Sequence, residues 1–263
     1  MKPHIPVLLR EAVEGLQVAP GKRFIDATYG GGGHAREIER LGGKVLGIDT
    51  DPDTGAIQGN FRDIVSIAKE HGFDTANGIL FDLGVSSHQL DTPERGFSYR
   101  FPDAPLDLRL NQSEGMTAAE YLKGVSEEEL YETLASFSEE EHSRAIAAAI
   151  VRARRVSPIQ TTGDLLHIVG HQAAPQIFQG LRIAINGELN ALKEGLAGAK
   201  ALLVPGGRLA VISFHSLEDR IVKQFMRSDA WKLITKKPIV AGEAEKKENI
   251  RARSAKLRIA QKL

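Results

Sequence analysis

The 263 residues include no cysteine, which removes disulfides, thiolate nucleophiles and cysteine-based zinc sites together. Net charge is absent too, with 34 Lys and Arg against 34 Asp and Glu. A simple polycation that coats nucleic acid is therefore excluded, and any such contact has to come from local basic patches. No apolar run approaches membrane-spanning length. The start, Met1-Lys2-Pro3-His4-Ile5-Pro6, leads into Arg10, Glu11 and Glu14 rather than into the apolar stretch of a signal peptide. These absences predict a cytoplasmic protein with no membrane segment. What is present is ordinary globular composition, 42% hydrophobic and 26% charged, enough for one large domain or a core carrying an insertion.

Phe24-Ile25-Asp26-Ala27-Thr28 is a short β-rich run that stops at four glycines, Gly30 to Gly33. A helical stretch from His34 to Leu41 and a second strand, Lys44 to Asp49, complete a βαβ unit, the seed of a doubly wound parallel sheet. Gly78 to Asp82 is nearly all apolar, as expected of a strand buried on both faces. Between Gly115 and Ala174 the pattern turns helical: Ser126 with Glu129 and Ser138 with Glu141 each fit a capping box. Leu130, Leu134 and Phe137 follow the first at helical spacing, Ile146 and Ile150 follow the second, and Pro158 closes the run. The expected layout is a core over 1–110, an inserted helical domain over 111–176 and the rest of the core over 177–263. In that last part, Leu181 to Leu196 makes a helical stripe and Pro205-Gly206-Gly207 turns the chain into a strand from Arg208 to Ser213. His215 to Asp219 opens another helix, and Ala255 to Ala260 reads as a final strand.

The first loop holds Gly30-x-Gly32-x-x-Ala35 directly between strand and helix, where glycine permits positive φ and close approach of a ligand to the backbone. Asp49 ends the second strand at the distance where an acid accepts hydrogen bonds from ribose hydroxyls. Together they indicate a nucleoside-containing cofactor, either a nicotinamide dinucleotide or S-adenosylmethionine. Asp26, just ahead of the glycines, suits the sulfonium and ammonium of S-adenosylmethionine better than a pyrophosphate. The turn Leu203-x-Pro205-Gly206-Gly207-Arg208-Leu209 also favours a methyltransferase.

Longer strings carry a family resemblance. They are His4 to Leu9, Ile25 to His34, Gly78 to Ser87, Glu94 to Ser98, Pro105 to Asp107, Ile212 to Arg220 and Arg251 to Arg258. Over nearly its whole length the sequence resembles the bacterial small-subunit (16S) ribosomal RNA (cytosine-N4)-methyltransferases, the MraW/RsmH family. The resemblance implies a Rossmann-like class I methyltransferase sheet interrupted by a helical domain, with S-adenosyl-L-methionine as cofactor, small-subunit ribosomal RNA as partner and a homodimer as assembly. It also implies that Gly32, Gly33 and His34 line the glycine loop, that Asp49 holds the ribose, that Phe61 packs beside the adenine, and that Asp82 and Gln89 close the pocket. The chain departs from the family where only Thr50 to Thr54 or so separates the second strand from Gly55 to Phe61. Relatives place a crossover helix there, and a parallel crossover needs about a dozen residues or more. The segments before Phe178 and after Met226 also look shortened.

Methyl transfer from a sulfonium is an in-line displacement without a metal, and no metal-ligand spacing stands out. A cytosine amine is a poor nucleophile, so an acceptor for its N–H favours attack. Asp82 or a neighbouring backbone carbonyl fits that role, with a purely structural or cofactor-binding carboxylate as the alternative. Phe97 and Tyr99, in the loop from Phe97 to Phe101, are candidates to stack on the base or are ordinary packing residues. Asp107 and Arg109 fit the cytosine edge or a surface ion pair. His215 fits a proton shuttle, a substrate contact, or a helix-start hydrogen bond with Ser216 and Glu218, whereas His4 reads as structural. Two basic zones suit RNA phosphates or a solvated face: Arg144, Arg152, Arg154 and Arg155, then Lys236, Lys237, Lys246, Lys247, Arg251 and Arg253. Two competing readings remain, a dinucleotide-binding oxidoreductase and a non-catalytic ribosome-assembly factor on a methyltransferase fold.

Overall fold

A computed structural model describes residues 6–263, so His4 lies outside the described residues. The chain forms two compact units, one from 1–84 with 189–263 and the other from Val85 to Glu188.

The first unit begins with α1 (Leu9–Leu16), β1 (Arg23–Asp26), α2 (Gly33–Arg40), β2 (Lys44–Asp49), β3 (Ile57–Gln58), α3 (Ile64–Glu70) and β4 (Ala76–Asp82). The second holds α4 (Ser87–Asp91), α5 (Ala118–Gly124), α6 (Glu127–Phe137), α7 (Ser143–Arg154) and α8 (Thr162–Asn186), which breaks at Gly170. The chain then completes the first unit with α9 (Glu188–Leu202), β5 (Leu203–Ser213), α10 (Ser216–Phe225), β6 (Trp231–Leu233), α11 (Glu243–Glu248) and β7 (Lys256–Lys262).

The seven strands lie in the order β3-β2-β1-β4-β5-β7-β6. The first five are parallel, and β7 pairs antiparallel with both β5 and β6. Both faces are covered, so β4 reads as an apolar run: Ile79, Leu80 and Phe81 are fully buried. Strand order reverses at β1, because the chain moves from β1 outward to β2 and β3 and then returns to place β4 on the other side. That reversal opens a crevice beyond the carboxyl ends of β1 and β4, the position where open α/β sheets bind ligands.

The link after Asp49 holds no crossover helix, as its length implies, yet it reaches a parallel partner: Ile48 pairs with Ile57 and Asp49 with Gln58. A two-residue strand level with the end of β2 needs only a short loop back to that level, which includes the 3-10 turn Pro52–Thr54. Three expectations need correction. The second unit spans 85–188 rather than 111–176. Val85, Phe97, Leu106 and Leu108 lie in loops, yet their side chains belong to the core built on α5–α8. Pro205 to Gly207 does not precede the last parallel strand but forms an irregularity inside β5, where the register shifts between Ala76 and Gly78. Finally, the Ser126–Glu129 capping box is made by both bonds, but no box forms at Ser138. The Ser138 hydroxyl donates instead to the Leu134 carbonyl at 2.6 Å, and α7 starts only at Ser143. Ser and Thr bond back to the preceding turn in this way when the helix ends beneath them.

Candidate functional site

Three carboxylates stand at the carboxyl ends of three adjacent parallel strands: Asp26 on β1, Asp49 on β2 and Asp82 on β4. The glycine loop rises between them. Gly30 and Gly32 both have positive φ (50° and 68°), and the loop is tied down by Gly32 N donating to Tyr29 O at 2.7 Å. A Cβ on Gly32 would lie 2.6 Å from the Tyr29 ring, and one on Gly33 would lie 2.1 Å from Pro6. The loop therefore needs these glycines for its own packing as well as for access.

Asp49 is anchored from both oxygens. Oδ2 accepts the Gly30 N–H at 2.7 Å and Oδ1 accepts that of Asp51 at 2.9 Å. Burial raises its pKa, and the hydrogen bonds offset part of that rise. Each oxygen keeps a second lone-pair site, so the carboxylate can still accept hydroxyl donors. Asp26 is almost fully buried, which lifts its pKa to about 6, against the Thr28 N–H that favours its charged form.

Asp82 is the most perturbed of the three. Burial comes first and pushes its pKa to about 7, against the pull of Arg251 and with the help of Glu218. Its backbone N–H donates to Thr28 Oγ1 at 2.6 Å, while its buried Oδ1 has no hydrogen-bond partner. An unmatched carboxylate oxygen in a crevice is a group held ready for a donor. Its Oδ2 lies 3.8 Å from His34 Nδ1. His34 Nε2 sits 3.1 Å from the Val7 carbonyl, which only accepts, so that nitrogen carries the proton and Nδ1 presents its lone pair. Burial lowers the imidazole pKa and keeps the ring neutral.

Phe61 packs edge-on against Phe81 with centroids 5.5 Å apart, and Gly195 of α9 leaves room for it, since a Cβ there would lie 2.8 Å from the ring. It thus joins the sheet's core cluster while keeping part of its surface exposed. His215 caps α10: its Nδ1 accepts the Glu218 N–H at 3.4 Å. The other ring nitrogen lies 3.1 Å from Glu218 Oε1, off the direction of a hydrogen bond. This is the helix-start geometry among the alternatives for His215.

The remaining candidates belong to the second unit. Gln89 is buried in the capping box of α4, where its Oε1 accepts the Ser86 N–H at 2.8 Å. Phe97 is buried beneath the Arg95 guanidinium, and Tyr99 meets the Phe178 ring at 5.4 Å, so both serve the helical core. Asp107 and Arg109 form a largely buried fork rather than a surface pair, with bonds of 2.6 and 3.0 Å and a third from Gln112 at 2.9 Å. Burial would raise the Asp107 carboxyl, but those donors outweigh it and hold the pKa below its usual value.

Two residues around the crevice, Thr28 and Arg251, escaped the sequence reading in these roles, while Glu218 takes the helix-start place read for it. Thr28 pins Asp82, and Glu218 accepts the N–H groups of Phe214 and His215 at 2.8 and 3.3 Å. Arg251, assigned above to a basic RNA zone, turns toward the Phe214 ring and lowers the Asp82 pKa. Glu218 was visible as the third residue after a helix cap; nothing local marks the other two. Among the described residues no group of three or more His, Asp or Glu is placed to hold a metal ion, and no helix is long and apolar enough to cross a membrane.

The family model described as the MraW methylase family matches residues 1–263. The "Ribosomal RNA small subunit methyltransferase H" of Deinococcus radiodurans is 48% identical, covering 98% of this chain and 89% of its own length. The protein of that name from Symbiobacterium thermophilum is 42% identical, covering 99% and 96%. Those alignments run over 281 and 308 residues, longer than this chain, so each relative holds residues that it lacks. A solved rRNA methylase from Streptococcus thermophilus is 11% identical with a TM-score of 0.47, covering 99% of both chains, a likeness too faint to argue from.

Proposed function

The chain belongs to the MraW methylase family and is a methyltransferase; from that premise we propose that it methylates the N4 amine of a cytidine in small-subunit ribosomal RNA, with S-adenosylmethionine as donor. The dinucleotide-oxidoreductase alternative falls with family membership.

The observation that carries the reading is the row of carboxylates around the switch point, with Asp82 titrating near neutrality and one of its oxygens unmatched. Three buried or half-buried acids suit a cation and repel a pyrophosphate. The residues present therefore fit S-adenosylmethionine: the Gly30–Gly33 loop and Asp49 would hold its nucleoside, and Asp26 would face its positive charge. Gly32, Gly33 and His34 shape that loop, Phe61 and Gln89 are kept as contacts on the family resemblance, and the bound cofactor supplies a methyl group on a sulfonium.

Asp82 then has one task. Its carboxylate accepts a hydrogen bond from the cytidine amine, which localises the nitrogen lone pair, and it takes up the proton released as the N–C bond forms. Thr28 fixes the backbone of Asp82, while Arg251 favours its charged form. Neutral His34 offers a lone pair toward the same carboxyl and cannot itself supply a counter-charge. The same reading includes a cytoplasmic location and a homodimer, the latter read out by sedimentation velocity.

Two measurements test the function together. Calorimetric titration should show saturable binding of S-adenosylmethionine but not of NADH, weakened at least tenfold in Asp49→Ala. Nucleoside mass spectrometry of unmethylated small-subunit RNA incubated with the protein should reveal N4-methylcytidine. Binding of NADH alone, or a methyl group on another nucleoside, contradicts the proposal.

A further inference from the structure

The helical unit contains a cavity of about 460 Å³ between α5, the end of α7 and the segment Pro158 to Gln160. That volume falls in the ~300–1,000 Å³ range of small-molecule sites. One wall is apolar, from Ala119 and Pro158, with Leu122 and Ile159 buried behind it. The rim is cationic: Lys123, Arg154 and Arg155 line it against a single carboxylate, Glu120. Glu120 is already engaged at the start of α5, accepting from Thr117 N and Oγ1 at 2.8 and 3.0 Å. Arg154 is held in place by its bond to the Leu122 carbonyl, where it also offsets the negative end of α5. Lys123 and Arg155 differ from it. Both are exposed, and neither side chain has an ion-pair or hydrogen-bond partner among the described residues.

Three cations around one concave, half-apolar space repel one another, and a multiply charged anion relieves all of them. Phosphate does so, and the apolar wall matches the face of a sugar or base attached to it. We propose that this cavity takes one phosphorylated nucleotide of the RNA, with its phosphate between Lys123 and Arg155 and its nucleoside against Ala119 and Pro158. The proposal rests on the RNA substrate argued above and adds a subsite that lies wholly within the helical unit.

The test uses the full chain saturated with S-adenosylmethionine, so that the cofactor crevice is closed to competitors. Cytidine 5′-monophosphate, cytidine and inorganic phosphate are titrated against wild type and Lys123→Ala/Arg155→Ala. The monophosphate should bind at least tenfold more tightly than cytidine or phosphate, and the double variant should lose that advantage. With a single-stranded oligoribonucleotide, the slope of log K against log salt should shrink by about 0.7, the value for one lost phosphate contact on a single strand. In methyl transfer to small-subunit RNA, KM should rise about tenfold with kcat and cofactor affinity unchanged. Equal binding of cytidine and its monophosphate, an unaltered double variant, or capture of an acidic peptide in preference to the monophosphate overturns the proposal. A wild type that methylates RNA beside an unaltered variant refutes the cavity alone. A wild type that transfers no methyl group refutes the function, and the monophosphate titration then decides the cavity separately.

Discussion

Burial sets the charge on Asp82 more strongly than its neighbours do, and this has opposite consequences for stability and for chemistry. The buried carboxyl binds its proton up to about pH 7, well above the ordinary value. Asp82→Asn keeps the shape and removes the ionisable group. At pH 8 the variant should therefore be more stable than wild type by a few kcal/mol, at about 1.4 kcal/mol for each unit of displaced pKa. Chemical denaturation at pH 8 and again at pH 4 checks this, since the difference should shrink to a small remainder near the ordinary carboxyl pKa of about 3.9, where Asp82 is largely protonated in the folded state and about half protonated in the unfolded one. Turnover should move the other way, falling roughly 10²–10⁴-fold because an amide cannot take up a proton. None of this was legible at the residue itself. The sequence marked Asp82 as an acid after a buried strand, but Arg251, Glu218 and Thr28, which set its surroundings, come from distant segments brought together by the sheet.

Elements were readable where two local signals agreed. The β1, glycine loop, α2 and β2 stretch combined strand-like runs with a glycine break, and it folds as expected. The Ser126 box also formed, with Leu130 and Leu134 fully buried behind it. Ser126→Ala should accordingly cost about 1 kcal/mol and Leu134→Ala about 2–5 kcal/mol, measured by thermal or denaturant unfolding. A Leu134 variant no less stable than the Ser126 variant would show that α6 is not anchored through this face. Ser138 carried the same written pattern and failed, because it closes α6 five residues before α7 begins, and its oxygen accepts the Glu140 N–H instead. β3 was missed for another reason: two residues of ladder leave no periodicity to read, and the rule about crossover length assumes a strand long enough to be crossed.

At the scale of the whole molecule, acidic charge gathers at the carboxyl ends of the sheet's interior strands in a chain whose net charge is zero. Asp26, Asp49 and Asp82 all have raised pKa values in the folded state, with Asp26 at about 6 and Asp82 at about 7. The folded chain therefore binds more protons than the unfolded one between about pH 4 and 7, so these groups should make stability fall as pH rises through that window. Unfolding free energies at half-unit steps from pH 4 to 8 measure this, with the Asp26→Asn/Asp82→Asn variant flattening the trend. The switch point that gathers these acids was legible as a βαβ seed, whereas the extent of the helical unit was not, since loop residues such as Phe97 and Leu108 joined its core. The pH dependence of single-turnover methyl transfer to small-subunit RNA most directly tests the claim that an ionised Asp82 accepts the proton. The account predicts a rate that rises tenfold per unit below about pH 7 and levels off above it, with Asp82→Asn slow and flat throughout. An unchanged rate in Asp82→Asn, or a wild-type profile without an inflection near 7, would contradict it.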